Sequence, residues 1–152
     1  MKKAIYTIMI GPDPMHRYAK RAFAAYAARI GAELVIRTRP YYRRPKGVIF
    51  DMPKHATMQK WYAGEILKNF DRVLYLDADI LVTPKAPDIF EVLDDPKLVY
   101  MFDEGRYEDR AGEIDTVTRL LPLDGVWPRR DDRYVYFNSG VILCSRGCPL
   151  FD

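Results

Sequence analysis

The most constraining feature of this sequence is an uninterrupted apolar run that ends in two aspartates. Residues 72–77 read Arg-Val-Leu-Tyr-Leu-Asp, and Ala78 and Asp79 follow directly. A continuous apolar run of this length is typical of a strand that is buried on both faces, as strands of parallel sheets are. Helices must then cover both faces of the sheet, so the run predicts an α/β fold.

Strands and helices alternate along the rest of the chain. The predicted strands cover residues 4–10, 32–37, 72–77, 98–102, 134–137 and 141–144, and the predicted helices cover residues 15–30, 55–69, 87–93 and 106–121. Residues 38–55 hold three prolines and show no clear period, which predicts a long loop. The alternation favours one domain over residues 1–152 with a mainly parallel sheet.

Composition and charge exclude several classes of protein. Hydrophobic residues make up 49% of the chain and charged residues 30%, which fits a globular domain and not a disordered one. A formal net charge of +3 is too small to indicate nucleic acid, so no nucleic-acid partner is expected. No apolar run reaches the roughly 18 residues of a membrane span. Residues 4–10 lack a signal-peptide cleavage site, so we expect a cytoplasmic location.

Two smaller clusters carry weaker signals. Residues 37–46 combine arginines with tyrosines and are interpreted as a solvated loop. The alternatives are binding of a phosphate, of RNA bases, of a polar acceptor or of an anionic membrane surface. Cys144 and Cys148 are the only cysteines and are interpreted as free thiols, because no second pair completes a metal site.

The two aspartates predict a cation site. Side chains two apart in an extended chain point the same way, so the carboxylates of Asp77 and Asp79 are expected to face one site. Their mutual repulsion is unfavourable without a cation, and oxygen ligands suit Mg²⁺ or Mn²⁺. The alternative is that Asp79 caps a turn and Asp77 pairs with a nearby lysine or arginine.

Four segments together resemble family 8 glycosyltransferases, the group of glycogenin and bacterial galactosyltransferases. Residues 70–82 are similar to the Asp-x-Asp segment of that family, and residues 137–141 to its Asn-Ser-Gly-Val segment. Tyr18 and Lys60 match weaker positions of the pattern. The resemblance implies a GT-A, Rossmann-like three-layer α/β sandwich, in a reduced or truncated form.

The resemblance also implies a reaction. It is the metal-dependent transfer of a hexose from a nucleotide diphosphate sugar, a UDP-sugar above all, to an unknown sugar, lipid or protein acceptor, with retention. Asp79 would ligate Mn²⁺ or Mg²⁺ directly, while Asp77 would share the metal or hold a ribose hydroxyl. Lys60 would place a positive charge beside the phosphate or the sugar, and its alternative is an exposed helix lysine.

The remaining site residues follow from the same resemblance. The expected nucleotide contacts are Ile10, Gly11, Tyr18, Asp77 and Ala78, and the expected sugar contacts are Lys60, Asp103, Asn138, Ser139 and Gly140. For Tyr18 the alternative is core packing, and for Asp103 it is a helix cap. For the Asn-Ser-Gly segment the alternative is a plain turn between two strands.

The chain departs from the family pattern after Gly140. Only twelve residues follow it, and they contain neither the family's Asp-Gln segment nor its His-x-x-Gly segment. We therefore expect a fragment or a reduced version, or a homodimer in which His16 or His55 replaces the missing ligand. The alternative functions are a non-catalytic nucleotide-sugar-binding module, an inactive fragment and a haloacid dehalogenase-like phosphatase with Asp77 as nucleophile.

Overall fold

The computed structural model describes residues 1–41, 58–120 and 127–151. The chain divides into two compact units, one of Met1–Tyr100 with Gly140–Asp152 and one of Met101–Ser139. The single domain predicted over residues 1–152 stays a prediction. The predicted loop 38–55 lies outside the described residues from position 42 onwards, and so does His55.

Of the seven strands in the described residues, five form one sheet in the order β2-β1-β3-β7-β4. The strands are β1 (Lys3–Ile8), β2 (Glu33–Arg37), β3 (Arg72–Leu76), β4 (Tyr100–Asp103), β5 (Arg129–Arg130), β6 (Arg133–Tyr134) and β7 (Phe137–Ser145). Strand β1 pairs in parallel with β2 and with β3, whereas β7 pairs antiparallel with β3. The predicted α/β fold with a mainly parallel sheet is confirmed.

In the part of the chain that the structure describes, the helices are α1 (Met15–Ile30), α2 (Ala63–Leu67), α3 (Ile89–Val92) and α4 (Ala111–Leu120). Only α1 has the full length that the sequence pattern predicts. Single 3₁₀ turns occur at Gln59–Tyr62, Glu104–Arg106 and Pro149–Phe151. Helix α1 has the predicted bounds because its buried residues recur at helical spacing, and Gly31 ends it in the left-handed conformation, at φ 65°.

Strands β1 and β3 are buried on both faces, as predicted from the apolar run. Ile5 and Leu74 pack towards α1, in a cluster that includes Phe23. Tyr6 and Tyr75, the next residues along each strand, pack on the opposite face towards α2. Alternate side chains of a strand point to opposite faces, so the first unit has helix, sheet and helix layers.

Strand β7 corrects one prediction. Two separate strands were expected at residues 134–137 and 141–144, with a turn between them as the alternative for the Asn-Ser-Gly segment, but β7 runs continuously from Phe137 to Ser145. The ladder explains this, because Val141 pairs with Leu76 and the carbonyl oxygen of Gly140 still accepts the N–H of Asp77 at 2.8 Å. Pairing with a buried neighbour outweighs the turn preference of Asn and Gly.

A buried arginine connects the sheet to α3. Arg72 is 3% exposed, and its guanidinium donates to the Ser145 hydroxyl at 3.0 Å, to the Phe90 carbonyl at 2.9 Å and to the Leu93 carbonyl at 2.7 Å. The last two carbonyls belong to the end of α3, where intrahelical donors run out. Arg72 therefore fixes α3, which follows the two aspartates in the sequence, against the sheet.

The second unit contains a small hairpin and a close backbone approach. Strands β5 and β6 pair antiparallel around Asp131 and Asp132, which have φ of 51° and 61°. A two-residue turn with both φ positive matches the twist of a hairpin. At Gly105 an added Cβ would lie 2.1 Å from the carbonyl oxygen of Tyr134, so only glycine fits there.

Two further expectations concern membranes and cysteines. Within the described part of the chain, every helix is too short or too polar to cross a bilayer. Cys144 and Cys148 are buried free thiols, as interpreted from the sequence. Burial raises the pKa of the Cys144 thiol to about 12, so this thiol stays protonated.

Candidate functional site

Asp77 is the first residue after β3, and its carboxylate has two protein partners. Oδ2 accepts from the Lys60 ammonium at 2.9 Å, and Oδ1 accepts a short hydrogen bond from the Tyr75 hydroxyl. The Lys60 side chain is only 13% exposed, which excludes the alternative of an exposed helix lysine. The pairing of Asp77 with a nearby lysine was the alternative given for this aspartate, and the structure contains that pair.

Asp79 does not project from an extended strand as expected. Strand β3 ends at Leu76, and the N–H of Ile80 donates to the Asp77 carbonyl at 3.1 Å. Residues 77–80 therefore form a turn, because the ladder with β7 stops where the chain leaves the sheet. Asp79 is exposed, and no hydrogen bond or ion pair joins its carboxylate to another residue in the described part of the chain.

Both aspartates nevertheless line one shallow cavity of about 220 Å³. We call it the Asp77 cavity; its lining residues are Asp13, Met15, Asp77, Ala78 and Asp79. It lies at the carboxyl end of β3, where open α/β sheets bind ligands. Three of its five lining residues are aspartates, and the Lys60 ammonium contacts one of them, Asp77.

Tyr75 is a site residue that the sequence analysis missed. Its side chain is 2% exposed, and its ring packs 5.5 Å from that of Tyr6. Burial, and then the hydrogen bond to Asp77, raise the pKa of the Tyr75 hydroxyl far above its usual value, so this group stays a donor. Tyr75 could have been identified from the alternation of side chains along a strand, which places Tyr75 and Asp77 on the same side.

Asp13 is a second residue that was missed. Its Oδ1 accepts the N–H of Met15 at 2.8 Å, at the start of α1, and the residue lines the Asp77 cavity. The available signal was its position after β1, since carboxyl ends of neighbouring parallel strands meet at one edge of the sheet. No group of three or more His, Cys, Asp or Glu residues that could hold a metal occurs in residues 1–41, 58–120 and 127–151.

Tyr18 lies on a different surface, which we call the Tyr18 groove. This groove of about 590 Å³ runs between α1 and residues 81–84. Tyr18 is 54% exposed, which excludes the alternative of core packing. Met15 lines both the Tyr18 groove and the Asp77 cavity, so the two are neighbours.

Ile10 and Gly11 follow β1 but line neither the groove nor the cavity. Ile10 packs, partly buried, against the cluster on the α2 side of the sheet. Gly11 has a φ of 83° with open space around it, so its backbone conformation is what requires glycine. The predicted contact of both residues with a nucleotide stays a prediction.

The predicted sugar contacts divide between the units. Gly140, in the first unit, accepts the N–H of Asp77. In the second unit, Asp103 precedes the 3₁₀ turn Glu104–Arg106 as its N-cap residue, but its side chain makes no capping hydrogen bond and instead accepts from Arg130 at 2.7 Å. Asn138 donates to Glu104 at 3.5 Å. That Asp103, Asn138 and Ser139 contact a sugar stays a prediction.

Similar folds occur in solved glycosyltransferases. One structure is of a glycosyltransferase involved in the glycosylation of the major capsid of PBCV-1, with a TM-score of 0.58, 18% identity, and coverage of 97% of this chain and 61% of that one. Another is of the galactosyltransferase LgtC in complex with donor and acceptor sugar analogs, with a TM-score of 0.57, 17% identity, and coverage of 93% and 57%. At these identities the likeness shows the fold, and it confirms the GT-A class.

The family follows from the sequence. The profile of glycosyl transferase family 8 matches residues 51–146, more than half of the chain. This chain belongs to glycosyl transferase family 8, as the resemblance implied, and the match gives no support to the phosphatase alternative. A search of curated proteins finds no match. The chain spans about three fifths of the length of the two solved structures.

Proposed function

We propose that this chain binds a UDP-sugar together with Mn²⁺ or Mg²⁺ at the Asp77 cavity and transfers the hexose, with retention, to a sugar, lipid or protein acceptor. The observation that carries the proposal is the pair of aspartates lining one cavity at the carboxyl end of β3, in a chain of family 8. Such strand ends are the usual ligand sites of open α/β sheets.

The residues present fit a metal that is bound together with phosphate. Mg²⁺ is commonly held by one or two carboxylates, with substrate phosphates and water completing its shell. Asp79 offers an exposed carboxylate, and Asp77 offers a second one in the same cavity. Three protein ligands are not required in such a site, which agrees with the absence of a larger metal-holding group among the described residues.

The bound metal would act as a Lewis acid that neutralises charge on the leaving diphosphate. Lys60 supports this chemistry with an ammonium fixed beside Asp77. Its low exposure strengthens its electrostatic effect on an anion in the cavity. Tyr75 holds the orientation of the Asp77 carboxylate through its hydroxyl.

The other residues would bind the two ends of the donor. Tyr18 presents an exposed ring beside the Asp77 cavity, which suits stacking of a uracil base. Asn138 carries an amide that can both donate to and accept from sugar hydroxyls. Asp103 and Ser139 add oxygen acceptors of the same kind, and Ile10, Gly11 and Ala78 offer backbone groups.

The test is calorimetric titration of UDP into the protein with Mn²⁺ and then with excess chelator. We expect binding that depends on Mn²⁺, and we expect Asp79→Asn to weaken it at least tenfold without unfolding the protein, because one of two metal ligands loses its charge. Asp94→Asn, at an exposed aspartate beyond α3, is the matched control. Unchanged Mn²⁺-dependent affinity in Asp79→Asn would sink the metal assignment.

A nucleotide-sugar-binding module without transfer activity is the second candidate. A contact in the cavity favours it, because Lys60 and Tyr75 already engage both carboxylate oxygens of Asp77, which leaves Asp79 as the open ligand for a metal. Incubation with UDP-glucose or UDP-galactose and Mn²⁺ separates the two. Release of UDP in the presence of water or added acceptor supports the transferase, whereas Mn²⁺-dependent binding with no release supports the module.

A further inference from the structure

The two aspartates of the Asp77 cavity have unequal surroundings. Asp77 has an ammonium on one carboxylate oxygen and a hydroxyl on the other. In the described part of the chain, Asp79 has no such partner and is exposed. A cation entering the cavity therefore meets one open carboxylate and one that already holds a positive charge.

The ammonium on Asp77 is held in place by buried structure. Lys60 belongs to the 3₁₀ turn Gln59–Tyr62, and Gln59 is fully buried. The backbone carbonyl of Gln59 accepts from the Tyr6 hydroxyl at 2.7 Å, which ties the turn to the sheet. The Lys60 ammonium also lies 5.2 Å from the centroid of the Tyr75 ring. This ion pair is therefore partly buried and preorganised, unlike a surface pair that solvent screens.

We propose that Lys60 occupies the side of Asp77 that a divalent cation would use, so that Lys60 and the metal compete for Oδ2 when no nucleotide is present. The inference rests on the proposed function of the cavity. Two cations against one carboxylate oxygen repel each other in a site of reduced dielectric. Metal alone therefore binds weakly, because it must share Asp77 or displace Lys60.

An anionic diphosphate removes this competition. It accepts the Lys60 ammonium as a new ion-pair partner and supplies oxygen ligands to the metal. Metal and nucleotide then each increase the affinity of the other, and the increase is reciprocal by linkage. Lys60 thus acts as a positioning residue that makes metal binding conditional on the nucleotide.

Removal of the Lys60 charge has an effect that a merely structural role would not produce. Lys60→Met leaves Asp77 open to metal, so the affinity for Mn²⁺ alone should rise. The affinity for UDP in the presence of Mn²⁺ should fall, because the diphosphate loses an ion-pair partner. Opposite changes in these two affinities distinguish competition from simple loss of packing.

The experiment measures free Mn²⁺ by electron paramagnetic resonance during titration of the full chain, with and without UDP. For Mn²⁺ alone, Lys60→Met and Lys60→Gln should bind about tenfold more tightly than wild type, a typical size for coupling between two sites. Lys60→Arg keeps the charge and should resemble wild type. Lys68→Met is the control, since Lys68 pairs with Glu65 on the exposed face of α2.

Each outcome decides one question. Tighter binding of Mn²⁺ alone in the two neutral variants supports the inference. Two different neutral substitutions are used so that the test survives if one variant fails to fold. Equal or weaker binding of Mn²⁺ alone in a folded neutral variant overturns it. Failure of wild type to bind UDP in the presence of Mn²⁺ instead overturns the proposed function, and calorimetry detects that failure separately.

Discussion

Arg72→Met should destabilise the first unit strongly, although Arg72 has no carboxylate partner among the described residues. Its guanidinium makes three hydrogen bonds, to the Ser145 hydroxyl and to the carbonyls of Phe90 and Leu93. Hydrogen bonds from a charged donor contribute about 1.5–3 kcal/mol each, which sets an upper bound of roughly 5–9 kcal/mol for three. Methionine also removes a buried charge, whose desolvation costs several kcal/mol.

The net loss of unfolding free energy in Arg72→Met should therefore be about 3 kcal/mol. Urea denaturation measures it, and with a slope of about 2 kcal/mol per molar the midpoint should fall by about 1.5 M. Ser145→Ala removes one of the three hydrogen bonds and should cost about 1 kcal/mol. A loss below 1 kcal/mol in Arg72→Met would show that the two α3 carbonyls find other donors, and the reasoning would fail.

Two further substitutions test local contacts. Tyr75→Phe removes the hydroxyl that donates to Asp77 and should lower the unfolding free energy, measured by urea denaturation, by about 1 kcal/mol. The control is Tyr107→Phe, at a tyrosine that is 71% exposed, which should have no measurable effect. Gly105→Ala places a methyl group 2.1 Å from the Tyr134 carbonyl oxygen and should lower the thermal midpoint at a cost of about 2 kcal/mol. Gly112→Ala, in α4 with open space around it, should instead stabilise by up to about 1 kcal/mol, and equal effects at both glycines would contradict the steric argument.

The parts of the fold that could be predicted are those with a strong hydrophobic period. Helix α1 has the predicted bounds because its core-facing residues repeat every three or four positions. Strand β3 was found from its apolar run, since a strand that is buried on both faces carries apolar residues at consecutive positions. Both signals are local, and tertiary contacts reinforce them.

Predictions failed where tertiary pairing decided the structure. The Asn-Ser-Gly segment has the composition of a turn, yet it lies inside β7 because the chain pairs with β3 on the sheet. The reverse holds at residues 77–80, which were expected to stay extended but form a turn where the ladder ends. The local composition of a segment determines neither which strand it pairs with nor where that pairing stops.

The residues of the candidate site could be proposed from the sequence, but the contacts between their charges could not. The sequence analysis identified Asp77, Asp79 and Lys60, and the structure brings Asp77 and Lys60 into contact across 17 positions of the chain. That contact depends on the 3₁₀ turn at Gln59–Tyr62, where a longer regular helix was predicted. Spacing along the sequence does not determine which of two aspartates receives the lysine.

The division of roles between the aspartates explains how the motif can fold before any ligand binds. Two carboxylates at the end of a buried strand would repel each other and lose hydration. The structure avoids both costs, because Lys60 and Tyr75 compensate the partly buried Asp77 whereas Asp79 stays in solvent. The positive charge that the paired aspartates require is therefore supplied, in this structure, by the Lys60 ammonium. If the proposed competition with Lys60 holds, a metal binds this cavity only together with an anionic ligand.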